Sequence, residues 1–186
     1  ERISIIAVGG YGRAEMAPFS DVDLLFLSPY KLTAWSETVV ESMLYTLWDM
    51  KLKVGHSTRT IADCIRIGLE DQTVRTALLE MRFICGDSAL CEKLDAKLWA
   101  DLFADTGPEF VEIKLEERDQ RHLKQGNQRY MVEPNVKEGK GGLRDLQSLF
   151  WIAKYIHGVQ NAAELVPLGV FQAEEFATFV NAEDFL

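Results

Sequence analysis

Basic charge is scarce in this sequence: 20 Lys and Arg stand against 29 Asp and Glu, a formal charge of −9 over 186 residues. Sequence-independent binding to nucleic acid needs a cationic footprint that releases counterions, so that class is excluded, although a local basic pocket for a nucleotide is not. Apolar runs of roughly 18 residues, long enough to cross a bilayer, are missing, and so is a cationic leader followed by an apolar stretch. No membrane association is therefore expected. Cysteine is sparse too. Cys64, Cys85 and Cys91 lack Cys-x-x-Cys spacing and fall in segments that read as helical, which predicts reduced, partly buried thiols in a cytoplasmic protein. Repeats and low-complexity tracts are absent.

What is present is an ordinary globular composition, 47% apolar and 26% charged, with enough chain for one or two cores. Glu1-Arg2 leads straight into an apolar run, so the sequence reads as a piece of something longer.

Chemistry concentrates between Val8 and Leu27. An apolar strand, Ile3 to Val8, runs into Gly9, Gly10 and Gly12. A second strand, Val22 to Leu27, opens directly after Ser20-Asp21 and contains Asp23. Strand periodicity puts Asp21 and Asp23 on one face, roughly 7 Å apart. Same-face carboxylates suit hard cations, which share their remaining positions with substrate phosphates. The glycine turn supplies backbone N–H groups for those phosphates, with Ser20 and Arg13 as side-chain donors. Glu15 stands where a dinucleotide fingerprint requires a third glycine, and no Gly-Lys-Ser/Thr follows for a P-loop. The bland alternative is a tight glycine turn capped by the aspartates.

The rest of the chain reads as an amphipathic helix over Ala34–Met50, a short strand from Lys53 to Thr58, and then helices only. Thr60 with Asp63 forms a capping box for the first of these. Val74 to Met81 outlines the next, stopped by Gly86. Leu90 to Leu102 outlines a third, capped by Asp87 or Ser88 and ended near Gly107-Pro108. Glu109–Gln125 is helical and densely charged, either a solvated face or a docking surface. A loop from Arg129 to Asp145 follows, then a helix over Leu143–His157 ended by Gly158, and a last amphipathic helix toward Leu186. Within the loop, Lys137, Lys140 and Arg144 gather on a glycine-rich turn that opens a helix. That arrangement favours anions, or is simply a solvated basic turn.

Gly9-Gly10-Tyr11-Gly12-Arg13 followed by Ser20-Asp21-Val22-Asp23 resembles the signature of the DNA polymerase β-type nucleotidyltransferase superfamily. With Glu15, Pro18 and Leu24-Leu25, and with Glu133-Pro134-Asn135-Val136-Lys137-Glu138-Gly139-Lys140-Gly141-Gly142-Leu143-Arg144-Asp145-Leu146-Gln147, it is similar to the bacterial PII-protein uridylyltransferase (uridylyl-removing) family. The resemblance rests on about forty residues. It implies an α+β fold: a small mixed-sheet, palm-like nucleotidyltransferase unit over residues 1–59, then a helical domain over residues 60–186, each truncated at its outer end. It implies UMP transfer from UTP to a tyrosine of the PII nitrogen-signalling protein, with pyrophosphate released and Mg²⁺ or Mn²⁺ required. Asp21 and Asp23 would ligand the metal, and Gly9, Gly10 and Ser20 would hold the triphosphate. The superfamily's third carboxylate has no counterpart among Val54, Gly55, His56, Ser57 and Thr58, which leaves His56, Glu133, Glu138 or Asp145 as candidates for that place. The competing readings are an adenylyltransferase acting on glutamine synthetase, disfavoured by the missing aspartate in Gly55–Arg59, and a non-catalytic nucleotide-binding module.

Overall fold

Ser4–Ala7 forms β1, and all four residues are buried, as an apolar run without alternation predicts. Val22–Ser28 forms β2, antiparallel to β1 with Ile5 opposite Phe26. Between them Gly9–Gly12 makes one helical turn, α1. Ala34–Asp49 forms α2, started by a capping box in which Thr33 and Ser36 satisfy each other's backbone amides. Val54–Thr60 forms β3, parallel to β2. The crossover through α2 is what makes that parallel pairing possible. The face of α2 bearing Val40 and Leu44 packs on Ile5, Leu24 and Phe26, burying one side of the sheet.

The computed structural model describes residues 2–16, 20–31, 33–125 and 135–186, and the chain falls into two units, Glu1–Ala104 and Asp105–Leu186. Among the described residues no helix is long and apolar enough to cross a membrane.

After β3 the expectation of helices only fails. Ile61–Glu70 (α3) begins on the predicted Thr60–Asp63 capping box, and Gln72–Leu79 (α4) follows, capped by Asp71. Arg82–Gly86 is then a fourth strand, β4, where the pattern suggested the end of a helix. It lies antiparallel on the free edge of β1, giving the order β3-β2-β1-β4. The chain thus returns to the sheet after residue 60, and residues 60–104 divide with the first unit rather than the second. The strand escaped notice because it is short, exposed throughout and without alternation. Ser88–Lys97 (α5) continues into a π-helical stretch, Leu98–Phe103, and packs across β1 and β2. Leu94, Leu98 and Leu102 are buried there, as are Ile6, Leu25 and Leu27. Cys64 and Cys91 are buried reduced thiols, the former pushed up to about 12 mainly by burial. Cys85, on β4, is exposed, contrary to the helical, partly buried expectation.

In the second unit Gly107–Lys124 forms α6, so Gly107-Pro108 opens a helix, with proline in its first turn. Leu143–His157 forms α7, ended by Gly158 at φ +66° as predicted. Phe110 of α6 stacks on Tyr155 of α7 at 3.9 Å, and the Tyr155 hydroxyl bonds Thr106 at 2.7 Å. Lys114 is buried against the rings of Phe110 and Trp151 and pairs with Glu117 at 2.8 Å. A 3₁₀ turn, Ala162–Leu165, and Ala173–Phe185 (α8) complete the unit.

A β-carbon on Gly12 would stand 1.9 Å from the Glu80 carbonyl oxygen and 3.2 Å from that of Ala7. Neither is a movable side chain, so Gly12→Ala is expected to destabilise the first unit by about 3 kcal/mol. Urea unfolding followed through the sheet's circular dichroism measures it.

Candidate active site

The site starts where β1 gives way to α1. Val8 donates its amide to the Asp23 carbonyl at 3.1 Å, which ties the glycine turn to the head of β2. Gly9 sits at φ +58°, a left-handed conformation that costs an ordinary residue about 1–2 kcal/mol. The amides at the head of a helical turn have no acceptor within it. In α1 these are Gly9, Gly10 and Tyr11, whereas Gly12 and Arg13 bond back to Val8 and Gly9.

Asp23 lies in space that two absent side chains leave open. A β-carbon on Gly9 would come 3.4 Å from its Oδ2, and one on Gly55 would come 2.4 Å from its Oδ1. Gly55 is the register partner of Asp23 across the parallel β2–β3 pair. Asp23 is half-buried, Asp21 is exposed, and Ser20 before them is half-buried. Burial, and then the charge of Asp21, raise the Asp23 carboxyl above its ordinary value.

A carboxylate pair that destabilises its own charge in this way matches a hard divalent cation, and the oxygen donors suit Mg²⁺ or Mn²⁺. Among the described residues no cluster of three His, Cys, Asp or Glu exists. A cation held by two carboxylates alone would keep positions open to a ligand, unlike one in a closed protein cage. His56 does not belong to it. It is in register with Leu24, whose side chain packs on α2, and its ring meets Trp48 of α2 edge-on at 6.3 Å. That is the sheet face opposite Asp23, because neighbouring positions on a strand alternate.

Arg13 has partners of its own. Its guanidinium pairs with buried Glu80 and bonds Glu15 at 2.8 Å. Arg82 donates to the carbonyls of Tyr11 (2.7 Å) and Gly12 (3.1 Å) and lies over the Tyr11 ring. Sequence reasoning missed Glu80, Arg82 and Gly55. The first two stand 67 and 70 residues from their partners, and a glutamate inside the apolar pattern Leu78-Leu79-Glu80-Met81 was their sole signal. Gly55 read only as one residue of the short strand from Lys53 to Thr58.

The second stretch is ordered around Asn135 and Asp145. Asn135 Oδ1 accepts the amides of Lys137 (3.1 Å) and Glu138 (2.8 Å), and the carbonyls of Val136 and Lys137 accept those of Leu143 and Arg144 at 2.9 Å. Asp145 accepts from the Gly141 amide at 2.8 Å, from His122 Nε2 at 2.9 Å and from Arg121. Burial works against ionising Asp145, but the Gly141 amide, Arg121 and His122 outweigh it and hold the carboxyl below its ordinary value. Arg144 bonds Gln147 at 2.9 Å, lies over the Trp151 ring and stands 3.7 Å from Glu138. Lys137 and Lys140 are exposed. Asp145 and Glu138 are thus engaged with arginines of their own unit, which removes the reason to cast either as the third carboxylate. Pro18, Glu133, Pro134 and the head of this loop from Arg129 lie outside the described residues.

Comparison with known proteins gives a consistent result. The model of the family described as GlnD PII-uridylyltransferase matches residues 109–186. The whole chain is 68% identical to a bifunctional uridylyltransferase/uridylyl-removing enzyme of Ruegeria pomeroyi, 63% to one of Cereibacter sphaeroides and 59% to one of Rhodospirillum rubrum. In each case the match covers all of this chain and 20% of the relative, so the chain spans about a fifth of the length of the curated relatives it matches.

Two outcomes are expected. Gly55→Ala displaces the Asp23 carboxylate and weakens divalent-cation binding about tenfold, read by Mn²⁺ titration, while Asp23→Asn abolishes it. For Asp145 the folded value is lowered, so its stabilisation is present above the ordinary 3.8 and is lost as pH falls through the folded value. Asp145→Asn should cost about 2 kcal/mol at neutral pH and flatten the acid limb of the unfolding profile below about pH 4.

Proposed function

The chain belongs to the PII-uridylyltransferase family, and on that premise we propose that its first unit transfers UMP from UTP to a tyrosine hydroxyl of the PII signalling protein. The observation that carries the proposal is the Asp23 carboxylate lodged between Gly9 and Gly55, beside Asp21 and at the head of a helical turn.

In this reaction the tyrosine hydroxyl gives up its proton to solvent, its oxygen forms a bond to the α-phosphorus of UTP, the bond from that phosphorus to the bridging oxygen breaks, and pyrophosphate leaves with that bond's electron pair. Such transfer depends mainly on positioning and on stabilising charge over the phosphate oxygens. Asp21 and Asp23 would hold Mg²⁺ or Mn²⁺, which when bound supplies Lewis-acid stabilisation of those oxygens. The Gly9 and Gly10 amides and the Ser20 hydroxyl orient the triphosphate by hydrogen bonds. Arg13, paired with Glu80 and Glu15, serves that cradle chiefly by fixing the end of α1. Within the second unit, Lys137, Lys140 and Arg144 are the residues proposed to bind nucleotide. UTP and a protein substrate of this kind make the cytoplasm the proposed compartment. The relatives' names favour uridylyl over adenylyl transfer, and the intact Asp21/Asp23 pair favours catalysis over a non-catalytic module.

Purified protein incubated with Mg²⁺, PII and UTP labelled on its α-phosphate is expected to place label on PII. Asp21→Asn combined with Asp23→Asn should lower the rate by 10³-fold or more, on the order of the loss from removing charge-stabilising groups. Full transfer by that variant would refute the site. Labelling from ATP in place of UTP would refute the uridylyl assignment while leaving the site intact.

A further inference from the structure

The glycine turn that flanks Asp23 is a weak element on its own. Gly9–Gly12 is a single helical turn in which only Tyr11 is not glycine. One turn fixes several dihedrals for few hydrogen bonds, and glycine loses more conformational freedom on ordering than any other residue. The chain leaves the turn through Ala14 at φ +63°, a left-handed conformation that disfavours a residue with a β-carbon. At its head the turn is tied to β2, because Val8 donates its amide to the Asp23 carbonyl at 3.1 Å. Its tail needs a tie too. A turn held only at Val8 can pivot there and re-aim the amides of Gly9 and Gly10.

That tie comes from the corner between α4 and β4, through partners 67 and 70 residues apart in the chain. Glu80 ends α4, and its carbonyl is so near Gly12 that a β-carbon there would stand 1.9 Å away. The Glu80 carboxylate pairs with Arg13 just after the turn, and Arg13 also bonds Glu15 at 2.8 Å. The Glu80 and Arg13 side chains are 1% and 14% exposed, so solvent screens this pair little. Arg82 lies opposite Ala7, the last residue of β1, in the antiparallel β1–β4 register. Its Nε donates to the Gly12 carbonyl at 3.1 Å and its Nη2 to the Tyr11 carbonyl at 2.7 Å, and the guanidinium stands 5.3 Å from the centre of the Tyr11 ring. These carbonyls close the turn, where a cation also meets the negative end of its dipole. A planar fork spanning both fixes direction as well as distance.

We infer that Glu80 and Arg82 are positioning residues for nucleotide binding: they hold the tail of α1 so that the Gly9 and Gly10 amides keep one direction beside Asp23. The inference rests on the nucleotide site proposed for the first unit, and every residue in it belongs to that unit. It gives β4 a part in ligand binding, although no β4 side chain is among the groups proposed to touch the ligand.

The test is equilibrium binding of UTP to the full-length protein in Mg²⁺ with PII omitted, beside Mn²⁺ titration without nucleotide. Arg82→Met keeps an unbranched stem against Tyr11 and loses both donors. It should weaken UTP binding about tenfold or more, the loss expected when the support of a binding group is removed. Mn²⁺ affinity should stay unchanged, because Asp21 and Asp23 stand at the head of β2 and not on the turn. Arg82→Lys should fail to restore UTP binding, since an ammonium lacks the fork. Glu80→Gln should also weaken UTP binding, and Glu80→Gln with Arg13→Gln no further than the more severe single change, because both act through one contact. Thermal melts separate folding from function. If Arg82→Met lowers the melting temperature and leaves UTP affinity as it was, or weakens Mn²⁺ binding as much as UTP binding, the positioning role of Arg82 is overturned. Restoration by Arg82→Lys overturns it too. If Glu80→Gln and Arg13→Gln multiply, that of Glu80 is overturned. Asp21→Asn with Asp23→Asn provides the control: if that pair leaves UTP binding unchanged, the proposed site falls and this inference with it. If the pair abolishes UTP binding and neither Arg82→Met nor Glu80→Gln alters it, the positioning role alone falls.

Discussion

The first unit depends on one awkward requirement: a carboxylate must stand at the head of a strand whose following residues, Leu24 to Ser28, are all buried. Burial that secures the strand also penalises the charge. The chain meets this by removing side chains on either side of Asp23, so that Gly9 and Gly55 leave its oxygens room. The same choice creates a second difficulty, since glycines loosen the turn that joins β1 to β2. Glu80 and Arg82 answer that from the α4–β4 corner, one by pairing with Arg13 and the other by binding the carbonyls of Tyr11 and Gly12. β4 therefore does more than widen the sheet: it delivers Arg82 to the end of the glycine turn.

Local signals in the sequence proved readable where the physics is local. The Thr60–Asp63 capping box, the left-handed Gly158 at the end of α7 and the start of α2 at Ala34 each depend on residues within one turn of one another. The glycine turn and the Asp21/Asp23 pair were legible for the same reason. What stayed hidden depends on pairing across the sheet. Gly55 gains its meaning only from the β2–β3 register, and Glu80 only from the approach of α4 to α1. His56 was drawn toward the site by its chemistry and excluded by the alternation of strand faces. β4 was lost because its burial is that of an edge, without the period that marks a half-buried strand.

The helical unit shows the complementary case. Composition identified a basic glycine loop and a charged α6 face as separate features, each open to a bland interpretation. In the structure part of that face serves the loop, for Arg121 and His122 carry Asp145. Elsewhere on the helix Arg118 pairs with Asp119 and Lys114 with Glu117. An exposed pair such as Arg118–Asp119 contributes at most about 1 kcal/mol, so the number of such pairs alone says little about why the face is charged. Position relative to the loop says more.

Asp23 and Asp145 make the decisive comparison, because both are partly buried aspartates at the head of a secondary-structure element in a glycine-rich motif. Asp145 receives an amide, an arginine and an imidazole, and its ionised form is favoured against the cost of burial. Asp23 receives burial and a second carboxylate, and its ionised form is disfavoured. A group whose charge the protein already satisfies is suited to holding structure, since it gains little from any further partner. A group whose charge the protein leaves unsatisfied gains most from an added cation, and that gain is binding energy. Two similar motifs in one chain are thereby separated into a structural tie and a candidate catalytic centre by what surrounds each carboxylate.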